Sequence, residues 1–139
     1  MKKVLTNGVF DLLHVGHLRL LHFARNQGDW LVVAINSDAS AGLIKGPGRP
    51  VVPAHERAEM LRALRCVDDV QIFDDDTTEL LIRRLRPVVL VKGPACRDTE
   101  IPGADFVESI GGRVVIPDWP MEHSSTGLVS RIIRTVGVS

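Results

Sequence analysis

Residues 6–17 read T-N-G-V-F-D-L-L-H-V-G-H and follow directly on the apolar pair Val4-Leu5. Val4-Leu5 running into Asn7-Gly8 predicts a buried strand that breaks at a tight glycine turn. The second half carries His14 and His17 with Gly16 between them, and it predicts a helix opening near Val15 or Gly16. A helix N-terminus presents unpaired N–H groups and the positive end of the helix dipole, so it attracts an anion. Two imidazoles add donors at that end, and a glycine beside them lets phosphate oxygens come close to the backbone. The stretch therefore predicts a phosphate site carrying groups that can follow charge through a reaction.

Working outward, the helix should run from about Gly16 to Asn26, with Leu18, Leu20, Leu21 and Ala24 as its apolar side and Gln27-Gly28-Asp29 as its stop. Trp30 to Ile35 is continuously apolar, as expected of a strand covered on both faces. Asn36-Ser37-Asp38 follows at its C-terminal end, where open α/β sheets place ligands. Residues Ala39 to Pro53 lack periodicity and are rich in glycine and proline, so they read as a mobile loop carrying Lys45 and Arg49. Pro53 suits the first turn of a helix reaching about Arg65.

Asp69 to Phe73 reads as a strand. Asp74-Asp75-Asp76 reads as solvated capping of a helix from Glu79 to Leu85, with Thr77 or Thr78 as its cap. Val88 to Val91 is a fourth strand ending in Lys92-Gly93, Ala104 to Ile110 a helix, and Val114 to Ile116 a fifth strand. Ser124-Ser125-Thr126 precedes an apolar stripe of Leu128, Val129, Ile132 and Ile133, which puts the hydroxyls at the start of a last helix. Alternating strands and helices predict a Rossmann-like α/β fold: a doubly wound, five-stranded parallel sheet with helices on both faces. All strand C-termini then share one edge, which gathers residues 6–17, Asn36, Asp38, Lys92 and Gly93.

At 139 residues the chain forms one domain, or one domain of a longer chain. Acidic and basic residues number 17 each, so no global field attracts nucleic acid or an anionic membrane, and anion binding must be local. No apolar run is long enough for a signal peptide or a membrane span, and Cys66 and Cys96 make no C-x-x-C. A cytoplasmic setting is expected. There is no G-x-G-x-x-G after the first strand and no G-x-x-x-x-G-K-[ST], which disfavours a dinucleotide-binding redox domain and a P-loop. Lys45, Arg57 and Arg65 are cations able to reach an oligophosphate held between two helix N-termini. No serine or cysteine is paired with a histidine as a nucleophile. Donors and cations of this kind suit phosphoryl-type transfer by positioning and charge stabilisation.

The string G-V-F-D-L-L-H-V-G-H resembles the G-x-F-D-x-x-H-x-G-H signature of the nucleotidyltransferase superfamily that includes the cytidylyltransferases. N-S-D at 36–38, R-P-V at 49–51, E-R at 56–57 and S-S-T at 124–126 follow in the expected order. L-T-N-G-V-F-D, V-A-I-N-S-D-A-S, L-V-K-G, I-P-G-A-D and G-G-R-V-V look most like the adenylyltransferase domains of ADP-heptose synthases. Glycerol-3-phosphate cytidylyltransferases come next.

The resemblance implies Mg²⁺-assisted attack of an acceptor phosphate oxygen on the α-phosphorus of a nucleoside triphosphate, with release of pyrophosphate. His14, His17 and Lys45 would be catalytic. Thr6, Asn7, Gly8, Val9, Phe10, Gly16, Arg57, Lys92, Gly93, Ser124, Ser125 and Thr126 would hold the nucleotide and its phosphates. Asp11, Asn36, Asp38 and Arg65 would face the acceptor, although Asp11 suits turn shaping better than catalysis. The metal would be held mainly by the triphosphate, and a homodimer is implied.

The chain departs from its relatives after Lys92-Gly93, where Pro94-Ala95-Cys96 stands in place of an aspartate and an aromatic, and at Gly127, where a threonine is usual. The first change keeps open a cytidylyltransferase using CTP on a small acceptor such as 2-hydroxyethylphosphonate or glycerol 3-phosphate. A non-catalytic nucleotide-sensing module is the alternative of another class. It predicts loss of His17 or the phosphate cations, and these are present. His22 and His55 read as packing or surface residues, and His123 as a surface residue standing beside Ser124.

Overall fold

Val4 and Leu5 are fully buried in β1 (Lys3–Gly8), and they point to opposite faces of the sheet. The computed structural model describes residues 1–120 and 122–137, with the side chain of Asp75 outside the described residues. Its elements follow as α1 (Val15–Arg25), β2 (Trp30–Asn36), α2 (Asp38–Lys45), α3 (Ala54–Arg62), β3 (Asp69–Phe73), α4 (Thr78–Leu85), β4 (Val89–Val91), α5 (Ala104–Ser109), β5 (Arg113–Val115) and α6 (Ser125–Val136). The strands are all parallel, in the order β3-β2-β1-β4-β5, so the expected doubly wound sheet is present. Val4, Val33, Ile35, Val89 and Val91 pack on one face against Leu21 and Ala24 of α1 and Ala58 and Leu61 of α3. Leu5, Val32, Ala34 and Leu90 pack on the other against Leu81 and Ile82 of α4 and Val107 of α5. The order in which the chain adds strands reverses between β1 and β4, and in such sheets a crevice opens there beyond the strand ends.

Two expectations are corrected. Residues 39–45, expected within a mobile loop, belong to α2 (Asp38–Lys45). Ser37 caps it by accepting the Ser40 N–H at 3.2 Å, Asp38 sits in its first turn, and Gly46 closes it at φ 96°. Only Ser40 and Ala41 of this helix are buried, and Leu43 is 89% exposed, so no apolar stripe announces it. The expected stripe of α6 is present, with Ile132, Ile133 and Val136 about half-exposed. The acidic run ahead of α4 does more than cap. The Ser37 hydroxyl donates to the Asp74 carboxylate at 2.5 Å and ties the ends of β2 and β3, while Thr77 stands at the N-cap of α4 as expected but turns its hydroxyl to the Asp74 carbonyl.

Gly112 shows how tightly β5 is set. A Cβ there would stand 2.6 Å from the Val88 carbonyl oxygen and 3.0 Å from that of Val107, neither of which can swing aside. Gly112→Ala should therefore destabilise the fold by about 1–3 kcal/mol, read as a lower denaturant midpoint at unchanged slope. Among the described residues no helix is long and apolar enough to cross a membrane.

Candidate active site

The first turn of α1 is built by its own histidines. His14 is the N-cap: its Nδ1 accepts the Gly16 N–H at 3.1 Å, and Nδ1 of His17 accepts the His14 N–H at 3.2 Å. This reciprocal arrangement is a capping box in which imidazoles replace the usual hydroxyl and carboxylate. The rings stack at 3.9 Å between centroids, with Phe10 5.2 Å from His17. Because each Nδ1 is an acceptor, each neutral ring carries its proton on Nε2 and is a donor there. Nε2 of His14 is buried with no protein partner. Burial, then His14 and Lys45, push the His17 pKa down to about 4, and Asp11 opposes only in part. Burial and His123 lower that of His14. Both are therefore neutral hydrogen-bond donors near neutral pH.

These rings open onto a cleft of about 580 Å³ between the start of α1, the segment after β4 and the loop before α6. Of the residues expected to hold ligand, His14, Gly16, His17, Lys45, Gly93, Ser124 and Ser125 line it. The α6 N-terminus meets the α1 N-terminus here. Ser124 caps α6 by accepting the Gly127 N–H at 2.9 Å, and the Ser125 hydroxyl donates to the Asp11 carbonyl. What Ser125 offers an anion is thus its N–H rather than its hydroxyl. Gly16 is needed for the approach, because a Cβ would lie 2.9 Å from both the His14 ring and the His123 Cβ. Gly16→Ala should displace the His14 ring and cut turnover at least about tenfold with little loss of stability, checked by steady-state rates beside a melting curve.

Several expected contacts are corrected. Arg57, expected to touch phosphate, is 2% exposed, and donates to the Val9 carbonyl at 2.7 Å, the Val52 carbonyl at 2.8 Å and Asp38 at 2.8 Å. It is an internal strut. Asp11, expected to face the acceptor, is 1% exposed and accepts from Arg49 and from the N–H groups of Val51 and Val52 at 2.8–3.0 Å. Those two residues bind the 9–14 loop, in which Phe10 and Leu12 hold positive φ (52° and 56°), to the 49–57 segment. One Asp38 oxygen also accepts the Ala54 N–H, and buried Asn36 donates to Ser40 within α2. Arg65 is exposed beyond α3, and Thr126 is exposed on α6; neither lines the cleft.

Thr6, Asn7, Gly8, Val9 and Phe10 do not line the cleft; the first three end β1, and Phe10 packs against the His17 ring. Lys92 bridges the strand crossover by donating to the side chain and carbonyl of Asn7 at 3.0 and 3.2 Å. Pro94 and Ala95, where the sequence departs from its relatives, and His123 beside Ser124 also line the cleft, whereas Arg19, Leu20, His22 and Phe23 from α1 and Trp119, Pro120 and Glu122 were not expected there. Gly16, Arg19, Leu20 and Phe23 do recur at helical spacing, a signal that one face of α1 serves the cleft.

The cleft thus gathers two helix N-termini, two imidazoles and Lys45 together with apolar side chains. The chain is 50% identical over 130 residues to Bifunctional protein HldE of Syntrophotalea carbinolica and 48% over 136 residues to that of Geobacter metallireducens. These alignments cover 94% and 98% of this chain but 26% and 28% of the relatives, so the chain spans about a quarter of the proteins it matches. The crystal structure of the lipopolysaccharide core biosynthesis protein from Thermoplasma volcanium superposes with a TM-score of 0.68 at 25% identity, over 84% of this chain and 93% of that one. The cytidylyltransferase-like family model matches residues 5–135, a span that holds the paired histidines, the strand crossover and the α6 N-terminus, and the chain belongs to that family.

Proposed function

We propose that this domain is a nucleotidyltransferase that moves an adenylyl group from ATP to the phosphate of a sugar 1-phosphate, releasing pyrophosphate. The observation that carries the reading is the locked pair of neutral imidazoles at a helix N-terminus, with Nε2–H donors beside a cleft whose other pole is a second helix N-terminus. The adenylyl and sugar-phosphate assignment is supported by the half-identical HldE proteins and by the resemblance to ADP-heptose synthases.

An acceptor phosphate oxygen attacks the α-phosphorus, and the bond to the α,β-bridging oxygen breaks, so charge grows on the leaving pyrophosphate. His14 and His17 donate to the α-phosphate region, and Lys45 adds a positive charge. The N–H of Ser125, with the α6 dipole, holds the departing phosphates. Among the described residues no group of three carboxylate, histidine or thiol side chains is placed to hold a metal, and Asp11 is committed to its loop. This donor set fits a Mg²⁺ ion carried by the triphosphate, which would neutralise its oxygens. A homodimer and a cytoplasmic setting complete the reading. The half-exposed aliphatic side of α6 supports self-association, which sedimentation would measure.

A second reading has its own support. Pro94 and Ala95 line the cleft without a polar side-chain atom to offer, consistent with a different base or acceptor, such as CTP with glycerol 3-phosphate or 2-hydroxyethylphosphonate. Pyrophosphate release, measured with Mg²⁺ for ATP, CTP, GTP and UTP against heptose 1-phosphate and these acceptors, separates the two. Release with ATP and the heptose alone is expected. Release with CTP and a small acceptor would favour the second reading, and none with any pair would leave a nucleotide-sensing module.

A further inference from the structure

Along α1 the cleft runs from His14, Gly16 and His17 at the first turn to Phe23 near the helix end, so it has a histidine end and a far end. Leu20, Phe23, Pro94, Ala95, Trp119 and Pro120 give the far part an apolar lining, with Arg19, His22 and Glu122 also on the cleft wall. A nucleoside triphosphate has the same polarity, charged at the phosphates and aromatic at the base. With the phosphates at the imidazoles, the base comes to the apolar end. There the Trp119 indole meets Phe23 edge-to-face at 5.3 Å and 87°, which orients the indole and leaves it a wall of the cleft.

One side chain joins both walls of this slot. The N–H of Arg97 donates to the Pro94 carbonyl at 3.2 Å and closes the short turn Pro94–Cys96. The same residue's guanidinium reaches across to the loop that carries Trp119, where Nη2 donates to the carbonyls of Pro117 at 2.9 Å and Trp119 at 3.2 Å. An arginine can do this because its guanidinium is planar and always charged, whereas a neutral side chain of equal length would make weaker bonds to two carbonyls.

We propose that Trp119 stacks on the base of the donor nucleotide and that Arg97 is the positioning residue that sets the slot, holding the Trp119 loop against the Pro94–Ala95 turn. This rests on the nucleotidyl-transfer reading and deepens it. The slot selects its ligand by aromatic area more than by a side-chain carboxylate or amide. Arg97 itself touches no substrate, so its influence falls on nucleotide affinity rather than on the chemical step.

The chain has two tryptophans, and Trp30 lies at the N-terminal end of β2, the opposite edge of the sheet from the cleft. A Trp30→Phe variant therefore leaves Trp119 as the sole indole reporter. Titrating it with ATP and Mg²⁺ in the absence of acceptor should quench its emission with the same midpoint that calorimetry gives. In that background Trp119→Ala and Arg97→Ala should each weaken ATP about tenfold. Arg97→Ala should raise the KM for ATP while kcat and the acceptor KM stay within about twofold, and Arg97→Lys should recover part of the loss. A purely structural role would instead lower kcat and the melting temperature together without changing the balance between the two KM values. Calorimetric binding without any Trp119 response, or full ATP affinity in Arg97→Ala, would overturn this proposal and leave nucleotidyl transfer standing. Absence of nucleotide binding to the unsubstituted protein would overturn both.

Discussion

His17→Ala is expected to lower kcat/KM by about 10²–10⁴-fold, the range for losing a positioned donor to charge that develops in the transition state. The side chain has two separable jobs. Its Nδ1 accepts the His14 N–H and completes the α1 cap, and its Nε2–H is left for the cleft. Alanine removes both, so a stability loss of about 1 kcal/mol should accompany the rate loss. Asparagine divides them, because an amide oxygen near the Nδ1 position keeps the cap while nothing reaches as far as Nε2. His17→Asn should therefore melt close to the unsubstituted protein and still be nearly inactive. Glutamine, whose amide nitrogen reaches the Nε2 position, should retain more activity than asparagine. Equal rates for asparagine and the unsubstituted protein, measured as pyrophosphate release, would remove His17 from the mechanism.

The same residue sets a pH dependence of stability. Its folded pKa lies near 4 because burial disfavours the cation first, and His14 and Lys45 then repel it. The unfolded chain, titrating near 6.5, binds more protons between those values, so stability rises with pH across that window. The contribution is fully present above about 6.5 and is lost as pH falls towards 4. His17→Asn should flatten that slope in denaturant midpoints taken across the window.

The residues from Val4 to His17 are enough to predict a strand, a turn and a helix N-terminus because each step has a local cause: an apolar pair, a glycine, a capping position. The sheet followed from alternation. Arg57 shows what such reasoning misses. A cation in the expected E-R pair reads as a phosphate contact, yet its spacing from Ala54, Ala58 and Leu61 places it on the buried face of α3, where a guanidinium survives only by satisfying carbonyls and a carboxylate. That spacing was legible and outweighed by the motif. Trp119 and Arg97 were not legible. Their meaning depends on a loop returning across the sheet to a turn 20 residues earlier, and no local pattern encodes that contact. Helix α2 was hidden for a third reason, since its caps were visible but almost nothing on it is buried.

Asp11→Ala is expected to cost about 3–5 kcal/mol, the penalty for breaking a buried ion pair by removing one partner. The carboxylate is fully covered, Arg49 is 11% exposed, and the N–H groups of Val51 and Val52 both donate to this one carboxylate. The melting temperature should fall by roughly 10 °C or more. Burial pushes the Asp11 carboxyl up, but the two N–H groups and the Arg49 guanidinium outweigh it and hold the pKa below 3.8. The stabilisation from Asp11 is thus present above that value and lost as pH falls below it. Removing both partners in Asp11→Ala/Arg49→Ala should cost less than the sum of the single changes, because the orphaned charge disappears with its partner. The kinetics decide between a tie and an acceptor contact. A residue that binds the acceptor would raise the acceptor KM selectively when changed to asparagine. A residue that holds the 9–14 loop in place lowers kcat with either substrate varied, since His14 and His17 stand at the end of that loop and Ser125 bonds the Asp11 carbonyl. Asp11→Asn should show the second pattern, with activity partly regained on cooling as the loop reseats, and a selective change in acceptor KM would return Asp11 to the substrate.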